Sequence, residues 1–200
     1  QGDLSPDFYA WVFPHGKSAS IGVGSAYKDF SAKRSVNELR AISGLDTAET
    51  IRKEGAPIPM KPMKRWDDGK ALLVSGDAAG VVAPASGEGI YYAMLCGRLS
   101  ADAIKDFLET GKASALRAPR KRFMKLHGRT FFALGLLQYF WYHSDKRREQ
   151  FVEMCKDEDV QTLTWQAYTQ KKLVKKKKKE HLRVFIKDVA QLLGLSKTAA

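Results

Sequence analysis

Residues 76–90 read GDAAGVVAPASGEGI, a run of glycines and small residues between two apolar segments. Before it stands Ala71-Leu72-Leu73-Val74, a compact apolar segment that reads as a strand. After it, Ile90, Ala93, Met94, Gly97, Ala101, Ile104 and Leu108 recur every three to four residues. That spacing predicts a long helix over 87–108, with Gly111 as its stop signal. A strand, a Gly-rich turn and a helix in succession offer free backbone N–H groups and a positive dipole end to an anion. Gly76 and residues 78–80 let a ligand approach the backbone closely, and Asp77 can accept hydrogen bonds from ligand hydroxyls. Ala93, Gly97 and Ala101 would let the helix press onto a sheet. A simpler reading, in which the glycines only satisfy turn geometry, stands beside this one.

Nearer the start, residues 8–14 mix aromatic and β-branched side chains and end at Pro14-His15-Gly16, and residues 18–27 alternate through Ile21 and Val23. The pair predicts a hairpin. Within its first strand Tyr9, Trp11 and Phe13 alternate with Ala10 and Val12, so all three rings share one face. Such rings form either half of an ordinary core or the wall of an apolar cavity. Val36, Leu39 and Ile42 predict a short helix over 35–42, with Ser35 as cap and Glu38 three residues on. Three prolines within 56–62 forbid a central strand and predict an edge strand or an extended crossing segment. Beyond Pro119 helix formers dominate. There, residues 131–142 are strongly apolar, but these 12 residues fall short of the ~20 a membrane-crossing helix needs. A last amphipathic helix is predicted over 182–195.

Charge divides the chain. Residues 1–112 hold 14 Lys+Arg and 14 Asp+Glu, whereas residues 113–200 hold 20 and 8, so the whole excess of +12 lies in the second part. Lys171, Lys172 and the lysines at 175–179 put seven charges into nine positions. This run is either a solvated segment or an attraction for an anionic membrane surface. No nucleic-acid partner is expected, since the run has no interleaved aromatics and no nucleic-acid module accompanies it. Cys96 and Cys155 have no CxxC spacing, which fits a reducing compartment such as the cytoplasm. Cys96 reads as a packed, inert thiol. The four histidines show no metal-ligand spacing, and the opening residues lack the pattern of a signal peptide.

Gly76-Asp77, six residues, then Pro84 resembles the GD(x)6P signature of flavoproteins built like p-hydroxybenzoate hydroxylase. The longer run GDAAGVVAPASGEGIYYAMLCGR is similar to the version found in geranylgeranyl reductases. Upstream, Tyr9-Ala10-Trp11-Val12-Phe13-Pro14, seven residues, then Gly22-Val23-Gly24 resembles their YxWxFP…GxG substrate motif. From His127 onward, HGRTFFALGLLQYFWYHSDKRREQFVEMCKDEDVQTLTWQAYTQKKLV is similar to the carboxyl-terminal extension of the reductases of chlorophyll and bacteriochlorophyll synthesis.

The resemblance implies an α/β protein, α+β in this chain: part of an FAD-binding domain of the p-hydroxybenzoate-hydroxylase type, with substrate-binding strands and an all-helical extension. Its parts would be residues 1–70 (substrate strands), 71–112 (FAD-binding portion) and 113–200 (basic helical extension). A GxGxxG βαβ unit is absent from these 200 residues, so the chain is expected to be the last half of a longer polypeptide, inactive alone and without tight FAD binding. The implied activity is FAD-dependent reduction, with NADPH as hydride source, of geranylgeranyl double bonds to a phytyl chain. Geranylgeranyl diphosphate or geranylgeranylated (bacterio)chlorophyll would be the substrate, met at the surface of the photosynthetic membrane to which the protein attaches peripherally from the cytoplasm. Carried onto this sequence, cofactor contacts fall to Gly76, Asp77, Ala78, Pro84, Gly87, Glu88, Gly89 and Ile90. Substrate contacts fall to Tyr9, Trp11, Phe13, Pro14, Gly22 and Gly24. The helix start near Gly87-Glu88-Gly89 would face the flavin pyrimidine edge and favour its reduced, negatively charged state. Glu88 reads either as an acid or as a carboxylate placed by the dipole. No proton donor is assigned. Two alternatives remain: a flavin-dependent monooxygenase or epoxidase on the same fold, and a non-catalytic basic helical module that binds acidic lipid.

Overall fold

A computed structural model of the chain describes residues 2–170. The Lys run at 171–179 and the helix expected over 182–195 lie outside the described residues. Among the described residues, helices accompany one small sheet of two strands, the mixed composition expected of a partial α/β chain. Two compact units are present, one ending at Ala56 and the other starting at Pro57.

The first unit is built on the expected hairpin. Strand β1 (Ala10–His15) pairs antiparallel with β2 (Ser18–Val23), with Trp11 opposite Gly22 and His15 opposite Ser18. The two residues left between them turn through Gly16 at φ 70°, backbone that tight hairpins need and side chains resist. Asp7 ties the hairpin's entry to its exit by accepting from Ser25 Oγ and from the Ala26 amide. Helix α1 (Ala32–Ile42) starts one turn earlier than the sequence suggests. Its cap is Ser31, whose hydroxyl accepts from the Arg34 amide, and Ser35 is a buried residue inside the helix. Ala32, Lys33 and Arg34 are good helix formers, so the upstream serine wins. Arg40 then folds the following loop around its guanidinium, donating to Leu45 O at 3.1 Å and Thr50 Oγ1 at 2.6 Å.

The second unit is held by α2 (Ile90–Thr110) and α3 (Ala118–Trp141), followed by α4 (Asp145–Met154) and α5 (Glu158–Gln170). Helix α2 forms where helical spacing predicts it, but the side it buries is Tyr92, Cys96, Leu99, Ser100 and Ala103, whereas Ile90, Met94, Ile104 and Leu108 of the expected apolar stripe are exposed. It ends at Gly111, whose φ of 68° and amide bond to Phe107 O cap it. The core joins Trp66, Val81, Ala83, Tyr92, Cys96, Phe123 and Phe131. Its rings meet at edge or tilted angles, with Tyr92 and Phe131 centroids 4.9 Å apart and Trp66 and Phe123 5.4 Å apart. None of the described helices is long and apolar enough to cross a membrane.

Two expectations are corrected here. Residues 71–74 form no strand; Leu73 makes only an isolated bridge to Asp67, and Val74 N–H donates to Trp66 O. The reason lies in Asp68, whose carboxylate captures the amides of Lys70, Ala71 and Leu72 at 2.8, 3.0 and 3.0 Å, so they are taken before a ladder can form. Of the small residues on α2, Ala93 packs, but against the Gly76 turn rather than a sheet, while Gly97 and Ala101 are exposed. The proline segment takes the second of its two expected forms. It crosses as extended chain, joined to the turn by Met63 N–H to Ala79 O at 3.0 Å and Val82 N–H to Pro59 O at 3.4 Å.

His127 of α3 is 6% exposed, ringed by Tyr91, Tyr92 and Phe123, and its Nδ1 is buried with no hydrogen-bond partner among the described residues. Burial lowers its pKa below the ordinary 6.5. Because the unfolded imidazole binds a proton more readily, stability is full above pH 6.5 and falls as pH drops through and below that value. Urea unfolding between pH 7.5 and 5.5 is expected to show this loss, at a slope of at most about 1.4 kcal/mol per pH unit. His127→Phe should flatten that part of the profile; an unchanged slope would place the titration elsewhere.

Candidate functional site

The residues singled out by sequence lie in two places, one in each unit. In the second unit, Gly76–Ala79 forms one turn of 3-10 helix, closed by Gly80 N–H donating to Asp77 O at 2.8 Å. Gly76 and Gly80 have φ of 61° and 77°. From there Val81, Val82, Ala83 and Pro84 are buried, whereas Asp77 and Ala78 are exposed. The chain therefore anchors one side of the turn in the core and presents the other.

A second turn brings the chain to α2. Ala83 N–H donates to Glu88 O at 2.8 Å, Gly87 N–H to Ala83 O at 3.0 Å, and Ser86 N–H to Pro84 O at 2.8 Å. Ala85 and Gly87 carry φ of 65° and 68°. Gly89, the N-cap of α2, supplies no side-chain cap, and Ile90 is exposed. The two turns meet here: a Cβ on Gly89 would stand 3.2 Å from Asp77 Oδ1. Glycine at 89 thus allows an exposed carboxylate to lie against the positive end of a 21-residue helix. Glu88 caps from outside, its Oε1 accepting the Tyr91 amide at 2.9 Å, so the dipole reading of this residue has a direct partner. Ser75 Oγ, beside Gly76, is buried without a hydrogen-bond partner among the described residues.

Behind the turns, Cys96 is fully buried, and burial pushes its thiol up to about 11, partly offset by a backbone hydrogen bond at Gly76. It packs as a small apolar residue. Burial, with the charge of Glu88 adding, pushes Tyr92 up to about 12, so its phenol stays protonated. One contact had no signal in the sequence: Tyr142 donates its hydroxyl to Ala85 O at 2.8 Å across 57 residues.

In the first unit the aromatic face forms a ladder. Phe8 and Tyr9 stack at 4.2 Å, Tyr9 and Trp11 lie 5.6 Å apart, and Trp11 and Phe13 6.1 Å. Tyr9 and Phe13 are 42% and 53% exposed, so within this unit the rings are not a closed core. The register explains the glycines. Trp11 lies across its partner Gly22, where a Cβ would come within 2.2 Å of Cζ2, and Phe8 covers Gly24, where a Cβ would come within 2.6 Å of Cδ1. Pro14 stands opposite Ala19 near the exposed end of β1. Among the described residues no group of three or more His, Cys, Asp or Glu is arranged to hold a metal.

No family model and no solved structure matches the chain. Curated relatives do. A geranylgeranyl diphosphate reductase of Rhodobacter capsulatus is 54% identical over 97% of this chain and 50% of its own length. The chloroplastic geranylgeranyl diphosphate reductase of Nicotiana tabacum is 39% identical over 96% of the chain and 42% of its own. A digeranylgeranylglycerophospholipid reductase of Methanocaldococcus jannaschii is 27% identical over 80% and 40%. The chain spans about half the length of these relatives. Identity at this level along nearly all its residues makes the chain a homologue of the geranylgeranyl diphosphate reductases.

Proposed function

We propose that this chain supplies a flavin-contacting turn and a prenyl-contacting wall to an FAD-dependent, NADPH-using reductase that saturates geranylgeranyl double bonds to a phytyl chain. The substrate would be the free diphosphate or the (bacterio)chlorophyll ester. One observation carries the reading: in a homologue of these reductases, exposed Asp77 lies against the N-terminus of α2 at Gly89.

The residues present fit a flavin. Asp77 would accept hydrogen bonds from ribityl hydroxyls, and buried Ser75 Oγ has capacity to spare beside it. Gly87 and Gly89 keep side chains out of the approach to the backbone. The first amides of α2, with a dipole equivalent to roughly half an elementary charge, would favour negative charge on a neighbouring ring. When bound, the flavin supplies the relay of hydride from NADPH to an alkene carbon, the adjacent carbon gaining a proton. Tyr9, Trp11 and Phe13, with Gly22 leaving room for the Trp11 indole and Gly24 for the Phe8 ring, would hold the isoprenoid by apolar contact, at roughly 0.8 kcal/mol per buried CH₂. Few polar groups are needed for such a chain.

Asp77→Ala in the full-length protein tests the reading. Loss of a charge-assisted hydrogen bond, worth about 1.5–3 kcal/mol, is expected to weaken FAD binding at least tenfold, read by fluorescence titration of the apoprotein. Unchanged FAD affinity would remove Asp77 from the site.

A further inference from the structure

We propose that Tyr142 is a positioning residue for the flavin-facing turn, its hydroxyl holding the Ala85 carbonyl so that residues 85–89 keep the backbone that presents the start of α2. The inference rests on the flavin reading above. Ala85 is the one non-glycine with positive φ among the described residues, at 65°, a region that L side chains resist and that persists only where surroundings impose it. Backbone hydrogen bonds within the turn join Ala83 to Glu88 and Gly87, and Pro84 to Ser86, and Glu88 N–H donates to Ser86 Oγ at 3.3 Å. None of these uses the Ala85 carbonyl. Tyr142 reaches it from 57 residues away, at 2.8 Å.

Tyr142 is itself fixed. It closes α3 with its amide on Gln138 O at 3.0 Å, and its carbonyl accepts from Arg148 Nη1 of α4 at 2.8 Å. Its ring meets Phe151 of α4 edge-on, with centroids 6.3 Å apart. A continuous set of contacts therefore runs from α4 through Tyr142 to Ala85, and four residues later the chain reaches Gly89, the N-cap of α2. If the Ala85 peptide relaxed toward negative φ, the peptides after it would turn with it. The helical extension thus helps to set the amides on which the proposed flavin site depends.

The test uses the full-length, flavin-loaded protein. Tyr142→Phe keeps the ring and removes only the donor. It is expected to weaken FAD binding about fivefold, in line with loss of one neutral hydrogen bond, and to move the flavin midpoint potential to a more negative value as the dipole loses alignment. In an Ala85→Gly background, where φ of 65° carries no strain, the same change should alter affinity less than twofold and leave the potential in place. A merely structural tyrosine would lower the melting temperature equally in both backgrounds and leave the potential unmoved, which would overturn the proposal. Equal flavin effects in both backgrounds would also overturn it. Should Tyr142→Phe alone not fold, the double variant decides: folded with bound flavin supports the proposal, unfolded overturns it. Asp77→Ala separates the two claims. If that variant loses flavin while Tyr142→Phe keeps wild-type affinity and potential, the positioning role fails and the flavin reading stands; if Asp77→Ala also keeps flavin, both fall.

Discussion

Gly80→Ala is expected to destabilise the protein by about 3 kcal/mol or more and to strip it of flavin. A Cβ at this position would stand 2.1 Å from Lys61 O, 2.9 Å from Lys61 C and 3.2 Å from Pro62 Cα. These are backbone atoms, so no rotamer change relieves the clash. The crossing segment is pinned on both sides by the Met63 and Val82 amide bonds; it can retreat only by breaking them. Added to this is the φ of 77°, which alone costs about 1–3 kcal/mol for a non-glycine residue. Gly111→Ala is the matched control, with φ 68° and nothing within 4 Å; it should cost only the strain, about 1 kcal/mol. Urea unfolding of the two full-length variants, followed with their FAD content, checks the difference. Equal, mild losses would mean that the segment does not cross the turn at Lys61.

The second large effect is expected at Gly22. In Gly22→Val the new side chain enters space held by the Trp11 indole, whose Cζ2, Cε2 and Cη2 lie 2.2, 2.4 and 2.9 Å from the position of the Cβ. Here the neighbour is a side chain, so the hairpin can survive while the indole swings away and the ladder breaks between Tyr9 and Phe13. If the ladder is the prenyl wall, KM for geranylgeranyl diphosphate should rise about tenfold, the loss of roughly two buried methylenes. The kcat and the flavin content should change little, because uniform binding is what is lost. Steady-state kinetics on the full-length variant decides this. Wild-type KM with a displaced Trp11, seen as a shift in its fluorescence, would assign the rings to packing.

Sequence periodicity disclosed the elements whose cause is local. Helix α2 announces itself because its apolar residues repeat at helical spacing up to a glycine stop, and the hairpin because its alternation breaks at Gly16. Local competition hid others. Residues 71–74 have strand composition, but the Asp68 carboxylate just upstream takes the amides of Ala71 and Leu72, after that of Lys70. At α1, Ser31 and Ser35 both offer a capping hydroxyl, and only the helix formers between them decide which is used. Contacts between distant residues were legible least. The glycine motif reads as ligand approach, yet Gly80 is required by Lys61 and Gly22 by Trp11. No spacing pairs Tyr142 with Ala85. Asp77 and Gly89 both read as site residues in the sequence, but their meeting at one helix end is a property of the fold.

The most direct measurement is anaerobic turnover of the full-length protein with NADPH and either geranylgeranyl diphosphate or a geranylgeranylated pigment, with products weighed by mass spectrometry. Expected is oxidation of NADPH matched to a prenyl product heavier by two hydrogens for each double bond saturated, at a rate indifferent to oxygen. Absence of turnover until oxygen is admitted, with a product heavier by one oxygen atom, would contradict a reductase and identify an oxygenase on the same flavin site.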